Sequence, residues 1–296
     1  MFVKRKSYQI GDIKAAIGAD TLKGALHLSE LRRSDYFELV GIVDENQKDY
    51  GRFENFASLQ DLFNEVSIDA MIIATNPKNH KENILKCINY TKNILVQSPL
   101  ANTLSQTREI NYAIKTNKIN LAVAYNNRFN PAIISLIREL KKEKEIYSLN
   151  FINASNEGEI LDYLIKDIDL CKFICKSEIS NFNLNKTLFG ENNTPGILNA
   201  AIKLKNEILI NFMCSKLYPI RRHKIEVSTD SGFYIADLIT FTLHKHTENG
   251  LINLRVDNDN FSIRKTHEAF FNFCDSCELS GLADIENSIK IREILC

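Results

Sequence analysis

A short glycine-bearing segment near the start of the chain has the residue types that bind a dinucleotide. Gly18 and Ala19 open it, Asp20 follows, Gly24 closes it, and Asp44 stands at the end of the next apolar run. In a strand–turn–helix unit, glycines let a pyrophosphate approach the helix N-terminus, while an acidic residue bonds the adenosine ribose. The spacing therefore predicts a dinucleotide site. Its predicted cofactor-binding residues are Gly18, Ala19, Asp20, Gly24 and Asp44.

Asp20 is expected to weaken the binding of a dinucleotide to this segment. It stands where the usual G-x-G-x-x-G pattern has its middle glycine, and Gly24 comes one residue late. Two negative charges about 4 Å apart repel by about 1 kcal/mol in water and by about 4 kcal/mol at an effective dielectric constant of about 20. The sequence therefore predicts dinucleotide affinity lowered about tenfold to a thousandfold. A tight strand-to-helix turn that binds no ligand is the alternative interpretation.

Asp44 also bears on which dinucleotide would bind. A carboxylate at this position repels the 2′-phosphate of NADP, and Glu45 and Asn46 are not arginines that could accommodate that phosphate. We therefore expect NAD to bind more tightly than NADP.

A second set of polar residues recurs at helical spacing further along the chain. Asp162, Lys166 and Asp169 stand at i, i+4 and i+7 beside an apolar stripe. On an exposed helix they would form an ion-pair ladder, stabilising by about 0.2–0.5 kcal/mol per pair. On a helix that faces a cleft, Lys166 would anchor a substrate hydroxyl, carboxylate or phosphate, because flanking carboxylates favour the ammonium form. The sequence leaves both interpretations open.

The elements around the first set form a regular alternation over residues 13–130. Short apolar runs alternate with amphipathic stretches, which is the pattern of βαβ units that build a parallel sheet. Strands are predicted at 13–17, 37–43, 70–74, 93–96 and 121–124, and helices at 22–32, 58–66, 80–90 and 103–116. The sequence therefore predicts a doubly wound α/β domain.

The part of the chain after Pro131 has strand-like alternation. Hairpins are predicted at 198–204 with 208–215 and at 225–228 with 232–239, and a helix at 282–295. We therefore expect a second, α+β domain with a mostly antiparallel open sheet, and domain boundaries at 1–127 and 128–296.

Two features of the predicted second sheet bear on its surroundings. Strands at 208–212 and 234–239 carry more apolar residues than one covered face needs, so we expect self-association as a homodimer or homotetramer. The basic run 221–224 is expected to be a solvated sheet edge that blocks further strand pairing.

The charge balance and the cysteines exclude several classes of protein. Lys and Arg number 37, as do Asp and Glu, so no global basic field attracts nucleic acid or a membrane. No apolar run reaches a membrane-spanning length, and the seven cysteines follow no export signal, so a cytoplasmic location is expected. Cys274 and Cys277 lack a second pair of ligands, so no metal is expected.

Six segments, taken in order, resemble one known family. They are G-A-L-H at 24–27, V-G-I-V-D at 40–44, A-T-N-P-K-N-H at 74–80, V-Q-S-P-L-A at 96–101, Y-N-N-R-F-N-P at 125–131 and D-Y-L-I-K-D-I-D at 162–169. Together they resemble the glucose–fructose oxidoreductase, inositol dehydrogenase and rhizopine catabolism family, usually written Gfo/Idh/MocA. The resemblance covers nearly the whole chain.

This resemblance implies a Rossmann domain followed by a substrate domain, and an NAD(P)-dependent oxidoreductase that transfers a hydride between the nicotinamide and a sugar or nucleotide-sugar. It adds three residues to the predicted cofactor site, namely Thr75, His80 and Gln97. The substrate-binding residues that it implies are Asn127, Tyr163 and Lys166. Residues 218–240 resemble members that oxidise nucleotide-linked amino sugars.

Two departures from the family pattern concern the substrate proton. The family's Glu-Lys before proline is Gln97-Ser98 here, and its catalytic histidine in D-x-x-x-H-D-I-D is Lys166. The catalytic positions that the resemblance implies are therefore Ser98, Asp162 and Lys166. Because both residues that usually manage the proton have changed, a degenerate binding or regulatory protein without hydride transfer is the alternative to an enzyme.

Overall fold

The computed structural model describes residues 13–19, 21–46, 48–190, 194–257 and 262–296. The chain divides into two units: unit 1 contains the residues up to Asn126 together with Ile263–Cys296, and unit 2 contains Asn127–Ser262. The first boundary lies one residue from the predicted position. The predicted second domain, 128–296, needs correction, because its carboxy-terminal part belongs to unit 1.

Unit 1 is built on a sheet whose strands are short, mostly buried aliphatic runs. The strands are β1 (Ile13–Gly18), β2 (Phe37–Val43), β3 (Asn55–Phe56), β4 (Ala70–Ile73), β5 (Asn93–Gln97) and β6 (Asn120–Ala124). Their order is β3-β2-β1-β4-β5-β6, and every pairing is parallel. The predicted doubly wound α/β sheet is confirmed. Strand β3, with two residues, is too short to leave a pattern in the sequence.

Four helices connect these strands and begin where the sequence supplies a cap. They are α1 (Leu22–Leu31), α2 (Leu59–Glu65), α3 (Pro77–Cys87) and α4 (Leu104–Asn117). Each follows a side chain that accepts a hydrogen bond from a backbone N–H of the first turn, which satisfies a donor that the helix itself leaves open. The capping residues are Thr21, Ser58, Asn76 and Thr103. The caps fix the turns that follow the carboxyl ends of the strands.

Unit 2 contains an eight-stranded sheet. Its strands are β7 (Ile146–Ala154), β8 (Ile179–Phe189), β9 (Thr194–Leu204), β10 (Leu209–Ser215), β11 (Arg222–Thr229), β12 (Gly232–Asp237), β13 (Thr242–Thr247) and β14 (Gly250–Leu254). Their order is β14-β13-β12-β11-β7-β10-β9-β8. Among the described strands of this sheet, only β7 and β10 pair in parallel. Both predicted hairpins, β9–β10 and β11–β12, are confirmed.

Two helices, α5 (Pro131–Leu140) and α6 (Ile160–Cys175), pack on this sheet. Helix α5 lies against β12 and β13, and α6 lies against β7, β9 and β10. The covered face is apolar and includes Phe151 and Phe212, whose ring centroids are 4.9 Å apart. Burial of this face stabilises unit 2 by about 25 cal/mol for each Å² of apolar surface removed from water.

The opposite face of the sheet is mixed in polarity. One row of cross-strand neighbours runs through Asn183, Ala201, Asn211, Asn150, Glu226, Ile235, His244 and Asn253. These side chains are partly or fully exposed. The amide of Asn211 donates to Asn150 Oδ1 at 3.0 Å. Amide side chains therefore alternate with the apolar residues that the sequence predicted on this face.

The basic run 221–224 is not the solvated sheet edge that the sequence predicted. Strand β11 pairs with β12 on one side and with β7 on the other, so it is an interior strand. Its alternation places Arg222 and Lys224 on the partly exposed face, while His223 between them is buried. The prediction was wrong because charge content alone does not reveal which strands flank a strand.

A buried carboxylate holds the loop after α5 in unit 2. Glu143 accepts hydrogen bonds from Tyr234, Ser231 and Thr229, and it forms an ion pair with Lys245 at 2.8 Å. Although burial raises the pKa of this carboxyl group, the hydrogen bonds and the ammonium charge of Lys245 lower it to about 2. Glu143 therefore joins the end of α5 to the turn between β11 and β12.

The carboxy-terminal helices α7 (Ser262–Ser276) and α8 (Ile285–Leu295) pack largely within unit 1. Between them, Ala283 forms a backbone bridge with Val123 of β6, with N···O distances of 2.8 and 3.1 Å. Phe270 of α7 stacks on Phe37 of β2, with ring centroids 5.7 Å apart. The helix predicted at 282–295 is thus present, but in a different unit from the predicted one.

Candidate functional site

The predicted cofactor residues of unit 1 lie at the carboxyl end of its parallel sheet. Gly18 ends β1, Asp44 follows β2, Thr75 comes soon after β4, and Gln97 ends β5. The strand order reverses between β1 and β4. In open α/β sheets, ligands bind outside the carboxyl ends of the strands at this reversal. The structure therefore brings these four residues to one sheet edge.

The turn between β1 and α1 is held tightly against neighbouring backbone. Thr21 Oγ1 donates to Ala74 O at 2.6 Å and accepts from Gly24 N at 3.0 Å. A β-carbon on Gly24 would lie 2.7 Å from Ala19 Cα, closer than real atoms approach. A β-carbon on Gly18 would lie 3.1 Å from a methyl group of Thr75. Gly24 is therefore required by the packing of the turn itself, and Gly18 leaves little room beside Thr75.

The charges at this turn suit an anion. The first turn of α1 has no acidic residue and contains Lys23. The N-terminus of a helix carries a partial positive charge and open N–H groups, which bind phosphate. Within the described residues, the turn therefore fits the pyrophosphate of a dinucleotide. Asp20, the predicted source of repulsion, lies outside the described residues.

Asp44 is buried and already hydrogen-bonded within the protein. Tyr50 Oη donates to its Oδ2 at 2.7 Å, and the backbone and side-chain nitrogens of Asn46 donate to Oδ1 at 3.0 and 3.2 Å. Burial raises the pKa of the carboxyl group, but these hydrogen bonds outweigh it and the pKa is lowered. Asp44 is thus an anion at the predicted ribose position. The sequence did not predict the contact of Tyr50 with this position.

His80 joins the turns that follow β4 and β5. Its Nε2 lies 2.9 Å from Thr75 O, and its Nδ1 lies 3.1 Å from Pro99 O and 3.2 Å from Leu100 O. Burial lowers the pKa of the ring, although the carbonyl contacts act in the opposite direction. Both ring nitrogens face protein carbonyls, so His80 positions the loop that carries Thr75.

Gln97 and Ser98 are buried in unit 1. Gln97 Nε2 donates to Ala124 O at 3.1 Å, which fixes the orientation of the amide, and Oε1 accepts from Asn126 Nδ2 at 3.0 Å. The backbone N–H of Ser98 also donates to Ala124 O, at 3.0 Å. These two residues therefore hold the ends of β5 and β6 together.

Two buried histidines extend this network. His27 Nε2 lies 2.9 Å from Gln97 Oε1, and His27 Nδ1 lies 2.9 Å from His267 Nε2. Because Gln97 Oε1 can only accept, His27 must carry its proton on Nε2 and accept at Nδ1 from His267. Burial is the main cause that lowers the pKa of His27 to about 4 and that of His267 well below its usual value. Both rings are therefore neutral.

The residues predicted for substrate and catalysis in unit 2 lie on α6. Asp162, Tyr163 and Lys166 are partly exposed. Tyr163 Oη donates to Ser155 O at 3.3 Å, and burial raises its pKa. Among the residues that the structure describes, no ion pair joins Lys166 to Asp162 or Asp169. The ion-pair ladder is therefore not formed.

Asp169 has a different role from the one predicted on the polar stripe. It is fully buried and accepts from Arg128 Nε at 2.8 Å and Nη2 at 2.6 Å. The Arg128 guanidinium also lies over the ring of Phe173, 4.7 Å from its centroid. Asn127, a predicted substrate residue, precedes Arg128 in the 3₁₀ helix Asn126–Phe129. The two-point ion pair therefore fixes the segment that carries Asn127.

A second carboxylate of α6 is also buried and paired. Asp167 Oδ1 lies 2.8 Å from His223 Nε2, and its Oδ2 accepts from Asn153 Nδ2 at 3.0 Å. The three residues join α6 to β11 and β7. Asp162, Tyr163 and Lys166, in contrast, remain partly exposed on the same helix.

The described ranges contain neither a membrane-crossing helix nor a metal-binding cluster. No helix there is long and apolar enough to cross a bilayer. No group of three or more His, Cys, Asp or Glu side chains is placed there to hold a metal ion.

Comparison with known proteins gives sequence matches over parts of the chain. Residues 14–125 match an oxidoreductase family with an NAD-binding Rossmann fold. YrbE, an uncharacterised oxidoreductase of Bacillus subtilis, is 24% identical over 189 residues, which cover 57% of this chain and 55% of YrbE. The scyllo-inositol 2-dehydrogenase (NAD+) of the same organism is 25% identical over 134 residues, covering 41% of this chain and 39% of that enzyme. The chain thus spans about half the length of YrbE.

Comparison of structures covers more of the chain. The structure of the UDP-N-acetylglucosamine 3-dehydrogenase GnnA from Acidithiobacillus ferrooxidans aligns with 96% of this chain and 95% of its own, with a TM-score of 0.82 and 16% identity. At this identity, the likeness establishes the fold alone.

Proposed function

We propose that this chain, whose residues 14–125 match the Gfo/Idh/MocA oxidoreductase family, transfers a hydride between NAD and a carbon of a sugar or nucleotide-sugar. One observation carries the proposal. The glycine turn before α1 and the Asp44 carboxylate stand at one sheet edge, within the segment that matches an NAD-binding family.

The residues of unit 1 would hold the cofactor, which supplies a hydride acceptor at its nicotinamide. Thr21 and Gly24 shape the turn that receives the pyrophosphate. Asp44 is the hydrogen-bond acceptor for the adenosine ribose, and its negative charge favours NAD over NADP. His80 and Gln97 position the neighbouring turns.

The residues of unit 2 would act on the sugar. Lys166 anchors a substrate hydroxyl as a charged donor. Asp162, one helical turn earlier, would accept the proton of that hydroxyl as the sugar carbon is oxidised. Asn127 and Tyr163 supply further hydrogen bonds to the sugar. Ser98 stands in the family's lysine position and adds no charge there.

A binding or regulatory protein without hydride transfer is the second candidate function. The observation that favours it is the burial of Gln97 and Ser98, whose polar groups are bonded within unit 1. Neither side chain replaces the family's lysine as a donor to a substrate hydroxyl. Such a protein would have the same fold but would not catalyse hydride transfer.

The deciding experiment is to purify the protein without added ligand, denature it and search by mass spectrometry for released NAD(H). Calorimetric titration with NAD and NADP then compares wild type with Asp20→Gly, and Asp257→Gly serves as a control for charge. We expect NAD to bind more tightly than NADP, and Asp20→Gly to tighten NAD binding about tenfold or more.

Tighter binding of NADP than NAD would contradict the role of Asp44. Dinucleotide binding without turnover of any sugar or sugar nucleotide would favour the second candidate. If neither wild type nor Asp20→Gly binds a dinucleotide, the hydride-transfer proposal is wrong.

Assembly and location belong to the same proposal. We propose a homodimer or homotetramer formed through the mixed face of the unit 2 sheet, which presents Met213 and Ile235 among its amides. All seven cysteines are free, which supports a reducing, cytoplasmic location.

A further inference from the structure

The acceptor positions of Asp44 are nearly all occupied by the protein itself. An ionised carboxylate offers about four lone-pair positions. Asn46 takes two and Tyr50 takes a third, at distances of 2.7–3.2 Å. An adenosine ribose presents two neighbouring hydroxyl groups and therefore needs two acceptor positions. Only one position on Asp44 remains.

Tyr50 and Asn46 differ in how they reach Asp44. Asn46 stands two residues after Asp44, and its contacts are those of a local turn. Tyr50 comes from the loop that connects β2 with β3 and approaches the other carboxylate oxygen. The hydroxyl of Tyr50 is thus the donor that can leave while the turn stays intact.

The position of Tyr50 is stabilised from the end of α1. Arg32 Nη2 donates to Tyr50 O at 3.1 Å. The Arg32 guanidinium also lies 5.5 Å from the ring centroid of Tyr50 and 5.2 Å from that of Phe53. Cation–π contacts of this kind hold the rings of Tyr50 and Phe53 against Arg32. These contacts with Arg32 therefore place the Tyr50 hydroxyl beside Asp44.

We propose that Tyr50 closes the adenosine-ribose subsite, because its hydroxyl occupies the acceptor position on Asp44 that a ribose hydroxyl needs. The ligand class is a nucleotide with an unmodified adenosine ribose. This inference rests on the proposed function, and it makes Tyr50 a residue that sets cofactor affinity. The ligand must displace the phenol before Asp44 can bind both hydroxyl groups.

Replacing Tyr50 with Phe separates this role from packing, since the ring and its contact with Arg32 remain. The variant removes one hydrogen bond to a buried anion, which the ligand then restores. We expect Tyr50→Phe to bind ADP-ribose about tenfold or more tightly than wild type. The gain should disappear with the analogue that lacks the 2′-hydroxyl on the adenosine side.

The experiment is calorimetric titration of wild type, Tyr50→Phe and Tyr112→Phe with ADP-ribose and with that 2′-deoxy analogue. Tyr112 is a matched control on α4, with 75% of its surface exposed. In wild type labelled with 13C at the tyrosine ring, the Tyr50 signal should shift when ADP-ribose binds. Thermal unfolding of both variants establishes that they are folded.

The outcomes distinguish the inference from the proposed function. Equal or weaker binding of ADP-ribose by folded Tyr50→Phe, with NAD binding intact in wild type, overturns the role of Tyr50 and leaves the function standing. The role of Tyr50 is also overturned if Tyr50→Phe binds the 2′-deoxy analogue more tightly than wild type does. If no variant binds ADP-ribose or NAD, both the inference and the proposed function are wrong.

Discussion

Four polar residues of α6 divide into two kinds by burial. Asp167 and Asp169 are fully buried and bonded within unit 2, whereas Asp162 and Lys166 are partly exposed. Breaking a buried charged pair typically costs about 3–5 kcal/mol, because the remaining charge lacks a partner. The two buried carboxylates therefore hold the helix and its neighbours, while the other two residues are open to a ligand.

Lys166 is expected to anchor substrate rather than exchange protons. Lys166→Ala should raise KM for a sugar or sugar nucleotide, because a charged donor is lost. Lys166→His places a base beside Asp162 and should raise kcat. The measurement is steady-state kinetics with a panel of NAD-linked sugars and sugar nucleotides, read as free-energy differences. The exposed Lys186, replaced with Ala, is the control.

The opposite result would assign a different role. If Lys166→His abolishes activity and the pH profile of wild type depends on this lysine titrating near pH 7, then Lys166 is the base and the anchoring role is wrong.

At the scale of elements, α7 completes a buried network with α1 and β5. His267 of α7 and His27 of α1 are neutral in the folded protein because burial lowers both pKa values, that of His27 to about 4. In the unfolded chain, each titrates near pH 6.5. The unfolded state therefore binds more protons than the folded state between about pH 6.5 and pH 4. The contribution of these two neutral histidines to the free energy of unfolding is therefore fully present above about pH 6.5. It declines as the pH falls through this window.

Gln97→Glu should change this pH dependence. A carboxylate beside His27 favours the imidazolium, so the pKa of His27 should rise and less stability should be lost between pH 6.5 and 4. The variant also loses the donor to Ala124 O, which should lower the free energy of unfolding at pH 8 by about 1–3 kcal/mol. Urea unfolding at pH 5, 6, 7 and 8 measures both effects.

The control for this substitution is Gln60→Glu, at an exposed position on α2. An unfolding free energy for Gln97→Glu that follows pH as wild type does, or an unchanged His27 titration by NMR, would contradict the assigned hydrogen-bond directions.

At the scale of the whole molecule, local features could be predicted and distant pairings could not. Gly18 and Asp44 were predictable because Gly18 is the last residue of β1 and Asp44 directly follows β2. His223 and His267 bond partners 56 and 240 residues away, and no periodicity in a sequence reports such pairs. Tyr50 lies close to Asp44 in the chain, but the loop between them has no repeating pattern. Amphipathic spacing identified the last helix and did not reveal which unit covers it.

Self-association is also a property of the whole molecule. Light scattering at tens of micromolar should give a dimer or tetramer, because apolar residues remain partly exposed on the mixed face of the unit 2 sheet. The double variant Met213→Lys, Ile235→Lys should be a monomer. The control variant Tyr112→Lys on α4 should keep the oligomeric state of wild type. A wild-type monomer at this concentration would contradict the expected assembly.

Unit 1 is assembled from two stretches of chain with the whole of unit 2 inserted between them. A ribosome releases the amino-terminal end first, so residues 127–262 have all emerged before Ala283 can reach β6 or Phe270 can cover Phe37. Domains usually fold during translation in the order of their synthesis. Here the unit that begins first is completed last, because Phe37 of β2 meets its aromatic partner only after α7 has been synthesised.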